Sequence, residues 1–302
     1  MPARHPRLSI VVLNYNRLAD TRQTLSHLQP LVGSRSDVEV IAVDNGSSDG
    51  TPAYLADQAN WARVLLLDKN AGIGGLNRGF RLARGDYIMV LDDDSHPKDR
   101  HTIDGVIDRL DRSPRVGVVA CRIEYPGGRV FRTWHLPDND RPGPSMAFVG
   151  CGFAIRRDLF ARIGWFPERF FLYQNEVETA IRVLRCGFEI HYEPTCRVVH
   201  RESATGRTSW RQVYYPTRNT IWILRCHFNR PERWWMIASR LAFGLIRAAQ
   251  TGQFSSFWLA AKAGLGEPID PNPLPQDLSR RLQPFKAHNN LICHLMGQFR
   301  SN

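Results

Sequence analysis

The stretch Tyr87-Ile88-Met89-Val90-Leu91-Asp92-Asp93-Asp94-Ser95-His96-Pro97 runs from apolar residues straight into three acids and then a proline. An unbroken apolar run reads as a central strand of a covered parallel sheet, and the carboxyl ends of such strands are where open α/β folds bind ligands. Alternation along the strand sets Asp92 and Asp94 on one side and Asp93 on the other. Three adjacent carboxylates repel one another, so they persist where a divalent cation or a ligand's hydrogen-bond donors neutralise them. Taken alone, the triplet equally suits a solvated turn with a helix cap before Pro97, and the flanking sequence has to decide.

On its N-terminal side, apolar runs at 8–13, 38–43 and 64–67 each precede a polar turn and a helical stretch, with 87–91 as the fourth run. Strands alternating with helices predict βαβ units, hence an α/β fold with a mostly parallel sheet flanked by helices. Pro52, just after Asp49-Gly50-Thr51, marks a helix start. The four strand ends meet at one sheet edge: Asn14-Tyr15-Asn16, then Asp44 to Gly50, then Asp68 to Gly75, then the acids. Here Asp44 can accept from a pyrimidine imide N–H and Tyr15 can contact a base face. Gly72, Gly74 and Gly75 let backbone N–H groups approach phosphate oxygens. These residue types suit a nucleotide diphosphate. The glycines do not make a dinucleotide fingerprint, because Asn77 stands where that motif needs Gly or Ala and the stretch follows the third strand rather than the first.

The composition is compatible with this reading and narrows it little. With 302 residues and 43% hydrophobic content the chain can bury a substantial core, and it is neither disordered nor fibrous. Its net charge of +11 predicts an anionic partner without choosing among nucleic acid, acidic lipid and a phosphorylated substrate. Six cysteines without a CxxC pair point to reduced thiols in the cytoplasm. The N-terminus has no signal-peptide pattern, and Arg interrupts every long apolar stretch, so no transmembrane span is expected.

In order, SIVVLNYNR (9–17), VIAVDNGSSDGT (40–51), NAGIGGLNRG (70–79) and MVLDDDSHP (89–97) resemble the donor half of family 2 nucleotide-sugar glycosyltransferases, which have the GT-A fold. Bacterial rhamnosyltransferase-like enzymes of cell-surface polysaccharide are among the proteins they resemble. The resemblance implies that Asp44 reads the base. Asn14, Tyr15, Asn16, Gly72, Asn77, Asp92 and Asp93 would line the nucleotide sugar, and Asp94 would hold Mn2+ or Mg2+ on the diphosphate.

Residues 148–200 resemble the acceptor half, with the turn Gly164-Trp165-Phe166-Pro167-Glu168 and an aromatic run leading to an acidic helix start. In most relatives that start reads Glu-Asp-x-Asp, with the second residue as general base. Here it reads Asn175-Glu176-Val177-Glu178, which places Glu176 at the base position. Glu is one methylene longer than Asp, but either carboxylate can deprotonate a hydroxyl within hydrogen-bond reach. Glu178 points away from Glu176 and would form a capping box with Asn175. By the same resemblance His200 completes the metal site, where imidazole suits Mn2+ better than Mg2+. The loop from Arg201 to Thr208 would then close over the donor. On the acceptor side stand Gly152, Arg218 and Trp134, the last able either to stack on a sugar or to pack in the core.

The expected division is a GT-A domain at 1–207, with donor half 1–97 and acceptor half 98–207. A helical extension at 208–265 and a Pro-rich linker and tail at 266–302 follow. The extension mixes aromatic residues with Arg, as suits either a helix lying in an anionic membrane interface or a lid or homodimer surface. The function these readings imply is metal-dependent, inverting transfer from a UDP or dTDP sugar to a hydroxyl of a glycan or lipid-linked acceptor. The setting would be cytoplasmic, at the inner face of the plasma membrane, with no nucleic-acid partner. A sugar-nucleotide pyrophosphorylase and a non-catalytic basic binding protein are the alternatives.

Overall fold

The structure is a computed structural model that describes residues 5–203 and 208–293. It divides into two compact units, one running up to Phe171 and resuming at Asn175 to complete the sheet, the other made of Leu172–Gln174 and the helices from Ser209 onward.

Among the described residues, the first unit is built on one sheet of nine strands. Strands β1 (Leu8–Asn14), β2 (Val38–Asp44), β3 (Arg63–Leu66) and β4 (Tyr87–Asp92) are mutually parallel in the order β3-β2-β1-β4. Helices α1 (Leu18–Val32), α2 (Thr51–Ala56) and α3 (Gly74–Leu82) make the connections, as the alternating pattern predicts. Register fixes the site: Asn14 pairs with Asp44 and Leu13 with Asp92, so the polar ends of three strands finish side by side. The apolar run of β4 is fully buried from Ile88 to Leu91.

Beyond β4 the chain adds β5 (Ser95–Pro97), α4 (Arg100–Arg112), β6 (Val116–Glu124), β7 (Gly143–Ser145), β8 (Phe153–Arg156), α5 (Arg157–Arg162), α6 (Asn175–Arg185) and β9 (Glu189–His200). The sheet continues from β4 as β8-β6-β9-β5, with β7 also on β9. Only β6 and β9 are parallel in this half; β8 runs antiparallel to both of its neighbours. The α/β class with a central sheet flanked by helices is as expected, and the sheet is parallel in its β3-β2-β1-β4 half and mixed beyond it. Pairing of β5 with β9 sets Ser95 opposite His200 and thereby carries His200 to the residue after the acids. Asp99 caps α4, its side chain accepting from Thr102 N at 2.9 Å.

In the second unit α7 (Ser209–His227), α8 (Glu232–Thr251) and α9 (Phe254–Gly266) precede two short helices, α10 (Gln276–Arg281) and α11 (Gln283–His288). Asn219 on α7 donates to Leu172 O at 2.8 Å and Tyr173 O at 2.9 Å, which explains why those residues belong to this unit. The Pro-rich segment is tied to the end of α7 through Asn272 N to Cys226 O and Leu274 N to His227 O. Leu274, Leu278, Leu282 and Phe285 are buried, so the described part of the tail contributes core.

Helix α3 lies on β1 and β2 because Gly79 admits close approach. A Cβ there would stand 2.7 Å from Val11 Cγ1 and 2.8 Å from Val43 Cγ2. Gly79→Ala should therefore cost about 1–3 kcal/mol by overpacking, measured by chemical denaturation. A variant as stable as the parent would contradict this account of the helix–sheet contact.

Candidate active site

At the end of β2, Asp44 is buried and turns one carboxylate oxygen back on its own chain, where Oδ2 accepts from Gly46 N at 3.1 Å and Ser47 N at 2.9 Å. Its Oδ1 is buried without a hydrogen-bond partner. An uncompensated buried acceptor costs free energy, and a ligand donor would relieve it. Beside it, Asn14 spends its amide on Val12 O at 3.2 Å and Val43 O at 3.1 Å, leaving its own Oδ1 unpaired. Asn16 stitches the first two strand-end loops together, donating from N to Ser47 Oγ and accepting from Ser48 N. Tyr15 N donates to Asp93 Oδ2 at 3.3 Å.

The glycine-rich turn behaves differently from its sequence reading. The N–H groups of Gly72, Gly74 and Gly75 are donated to Asn70 Oδ1, Ala71 O and Gly72 O, so none is turned toward a phosphate. Gly72 has φ of +57°, and a Cβ there would collide with Phe171. Close packing is what these glycines supply. Asn77 is likewise internal: its Nδ2 donates to Phe166 O and Glu168 Oε1, and its Oδ1 accepts from Phe166 N at 3.1 Å. It clamps α3 to the Gly164–Glu168 turn, with both amide hydrogens and its Oδ1 bonded there.

Strand β4 ends at Asp92, and Asp93 and Asp94 form the turn that follows, so strand alternation does not separate them. Asp93 faces Arg17, with Arg17 Nη1 2.9 Å from Asp93 Oδ1 and 3.5 Å from Asp94 Oδ2. Asp94 Oδ2 also accepts from Ser203 N at 2.9 Å, and Asp94 Oδ1 lies 3.2 Å from His200 Nε2. Burial, then the charge of Asp94, pushes Asp92 up to about 6, and the Glu176 carboxylate adds to the push. Burial pushes Asp93 up to about 7 against the pull of Arg17. Asp94 goes the other way, because His200, the Ser203 N–H and Arg17 outweigh burial and hold it down at about 2. His200 is raised: burial opposes its charge, and the Asp94 carboxylate overrides that opposition. The neighbouring Cys151 thiol is itself pushed up by burial and stays neutral near pH 7. Arg201 completes the group, its Nη2 donating to Asp20 O, Thr24 Oγ1 and Asp93 O. Residues 204–207 lie outside the described residues, and with them the expected loop over the donor.

Glu176 opens α6, and its Oε1 is 3.5 Å from His135 Nε2. His135 Nδ1 and Thr133 Oγ1 are hydrogen-bonded at 2.7 Å, and the Trp134 ring stacks on the His135 ring at 4.0 Å. If Thr133 donates to Nδ1, the proton sits on Nε2 and faces Glu176. Trp134 thus braces a histidine that itself faces Glu176. Glu178 has a structural contact, with Arg182 Nε at 2.8 Å one turn later, while Asn175 lies within the helix. Gly152 is a packing glycine, since a Cβ would collide with Ile123. Arg218 belongs to the second unit, buried with its guanidinium over the Tyr214, Tyr215 and Trp222 rings. Sequence reasoning did not single out Arg17 or His135 for a role. The former was in view as the last residue of the first motif; the latter carried no local signal.

Among the described residues no group of three or more His, Cys, Asp or Glu side chains is arranged to hold a metal ion. Two side chains do fit one. Adjacent ligand atoms around an octahedral ion with bonds of about 2.1 Å stand about 3.0 Å apart. Asp94 Oδ1 and His200 Nε2 are 3.2 Å apart, close to that spacing, and holding an ion there requires His200 to give up the proton by which it pairs with Asp94.

The family model of Glycosyl transferase family 2 matches residues 9–164. Succinoglycan biosynthesis protein ExoO of Rhizobium meliloti is 39% identical over 67% of this chain and 63% of its own length. The N-acetylglucosaminyl-diphospho-decaprenol L-rhamnosyltransferase of Mycobacterium tuberculosis is 24% identical over 76% of this chain and 86% of its own. The fold is similar to that of mannosyltransferase PcManGT from Pyrobaculum calidifontis, solved in complex with GDP-Man and Mn2+. That likeness has a TM-score of 0.58 at 20% identity and covers 95% of this chain and 81% of that one.

Asp93 supplies a pH dependence whose sign is fixed. Its carboxyl would ionise from the ordinary value of 3.8 when unfolded but only near about 7 in the fold, so it favours the fold at low pH and loses that effect as pH rises between the two. Thermal unfolding between about pH 5 and about pH 8 should show the parent losing stability more steeply than Asp93→Asn. Parallel slopes would contradict the assignment.

Proposed function

The chain belongs to glycosyl transferase family 2 and is an enzyme of sugar transfer, and we propose that it moves the sugar of a pyrimidine-nucleotide diphosphate donor onto a hydroxyl of a glycan or lipid-linked acceptor. The observations that carry this reading are geometric: Asp44 Oδ1 is buried without a hydrogen-bond partner at the end of β2, and Asp94 Oδ1 lies 3.2 Å from His200 Nε2 just beyond the end of β4. The unpaired Oδ1 of Asp44 can only accept a hydrogen bond, which suits the imide N–H of uracil or thymine, and the donor screen below separates these from guanine, whose N1–H also donates. A lipid-linked acceptor is favoured by the M. tuberculosis relative, which is named for a sugar carried on diphospho-decaprenol.

Asp94 and His200 would hold Mn2+ or Mg2+, which would offset charge on the departing diphosphate. Glu176 takes the proton of the acceptor hydroxyl as that oxygen forms its bond to the anomeric carbon. The bond from that carbon to the diphosphate breaks with its electron pair leaving on the nucleotide. Attack from the face opposite the leaving group inverts the anomeric centre. His135, held by Thr133 and Trp134, orients the Glu176 carboxylate toward the acceptor.

A thermal-shift screen of UDP-, dTDP- and GDP-sugars with and without Mn2+ tests the donor. Stabilisation by UDP- or dTDP-sugars that grows with Mn2+ is expected, and a response confined to GDP-sugars would overturn the pyrimidine reading. Glu176→Gln should bind donor as the parent does while turnover falls by about 10²–10⁴-fold. Unchanged turnover would remove Glu176 as the base.

A further inference from the structure

Among the described residues, eleven large hydrophobic side chains are exposed, and all but Leu66 belong to the second unit. Soluble chains normally scatter such residues; here they follow helical spacing. Helix α8 buries Met236, Ile237, Gly244 and Ala248, and its opposite face carries Trp235, Leu245 and Ile246 in the open together with the small Ala238 and Ala249. Helix α9 repeats the arrangement, burying Phe257, Ala260, Ala261 and Gly264 and exposing Phe254, Trp258 and Leu259. Trp258 and Leu259 are 65% and 61% exposed. The two helices are joined through Gly252 in the left-handed conformation, and no charged residue occurs from Ala248 to Ala261. The hairpin therefore has an apolar outer face as well as an apolar inner one.

Charge identifies the occupant. Residues 208–265 contain eight Lys and Arg against a single acid, Glu232. Lys262 lies in the exposed stripe of α9 and Arg247 is exposed beside Ile246 on α8. A second copy of the chain would bring two like-charged segments together, whereas an anionic surface complements them. No described helix is long and apolar enough to cross a membrane, so insertion can only be partial.

We propose that the outer face of the α8–α9 hairpin docks on an anionic phospholipid bilayer, with Trp258, Leu259 and their neighbours entering the headgroup boundary and Arg247 and Lys262 meeting lipid phosphates. This rests on the second unit alone and is independent of the donor assignment. Co-sedimentation of the full chain with phosphatidylcholine vesicles, and with vesicles also containing phosphatidylglycerol, tests it. Binding is expected to the anionic vesicles and to weaken with added salt. Trp258→Glu with Leu259→Glu should lower that binding by about tenfold or more. Both side chains are exposed, so thermal unfolding should be unchanged. Arg247→Glu with Lys262→Glu should weaken binding to the anionic vesicles only. A parent chain that stays in the supernatant, or a Trp258→Glu/Leu259→Glu variant that sediments like the parent, would overturn the proposal. So would a dimer in light scattering that the same substitutions dissociate, because the face would then belong to a second copy.

Discussion

Three successive carboxylates at the end of β4, Asp92 half-buried and Asp93 and Asp94 buried, are the constraint around which the first unit is arranged. Left uncompensated, such a cluster would oppose folding, since burial and mutual repulsion both disfavour its charge. The chain compensates it from three directions. Arg17 comes from the end of β1, Arg201 and the Ser203 N–H from the segment after β9, and His200 from the last residue of β9, carried there by antiparallel pairing with β5. Compensation remains partial, because Asp92 and Asp93 keep raised pKa values. A cluster left in this condition is suited to receive a cation and a polyanionic ligand together.

The same logic separates what the sequence could reveal from what it could not. The four strand ends were legible because each is a local event, an apolar run stopping at polar residues, and parallel pairing then aligns them. Asp44 was legible for that reason, and its unpaired oxygen agrees with a ligand-facing role. The packing contacts of Gly72 and Asn77 were not legible, because a polar residue or glycine looks the same in sequence whether it meets a ligand or a neighbouring loop. Their partners, Phe171 and the Phe166–Glu168 turn, come from distant parts of the chain. His135 was invisible for a related reason: nothing in Thr133-Trp134-His135 announces that α6 will bring Glu176 to it. Strand β8 was expected only through the resemblance of the acceptor half, and its four residues carry too little periodicity to give its direction, so the antiparallel half of the sheet was not legible.

In the second unit, composition suggested amphipathic helices but could not say which face was buried. Helices α8 and α9 are apolar on two sides, so apolar periodicity in the sequence does not say which side is buried. The burial pattern separates them, assigning Gly244, Ala248 and Phe257 to the interior and Trp258 and Leu259 to the surface.

Diffraction from crystals of the protein grown with UDP and Mn2+, recorded where manganese scatters anomalously, tests the central claim most directly. The account predicts one strong anomalous peak within bonding distance of Asp94 Oδ1 and His200 Nε2, with the uracil imide on Asp44 Oδ1. A peak elsewhere in the cleft, or a uracil bound away from Asp44, would contradict it.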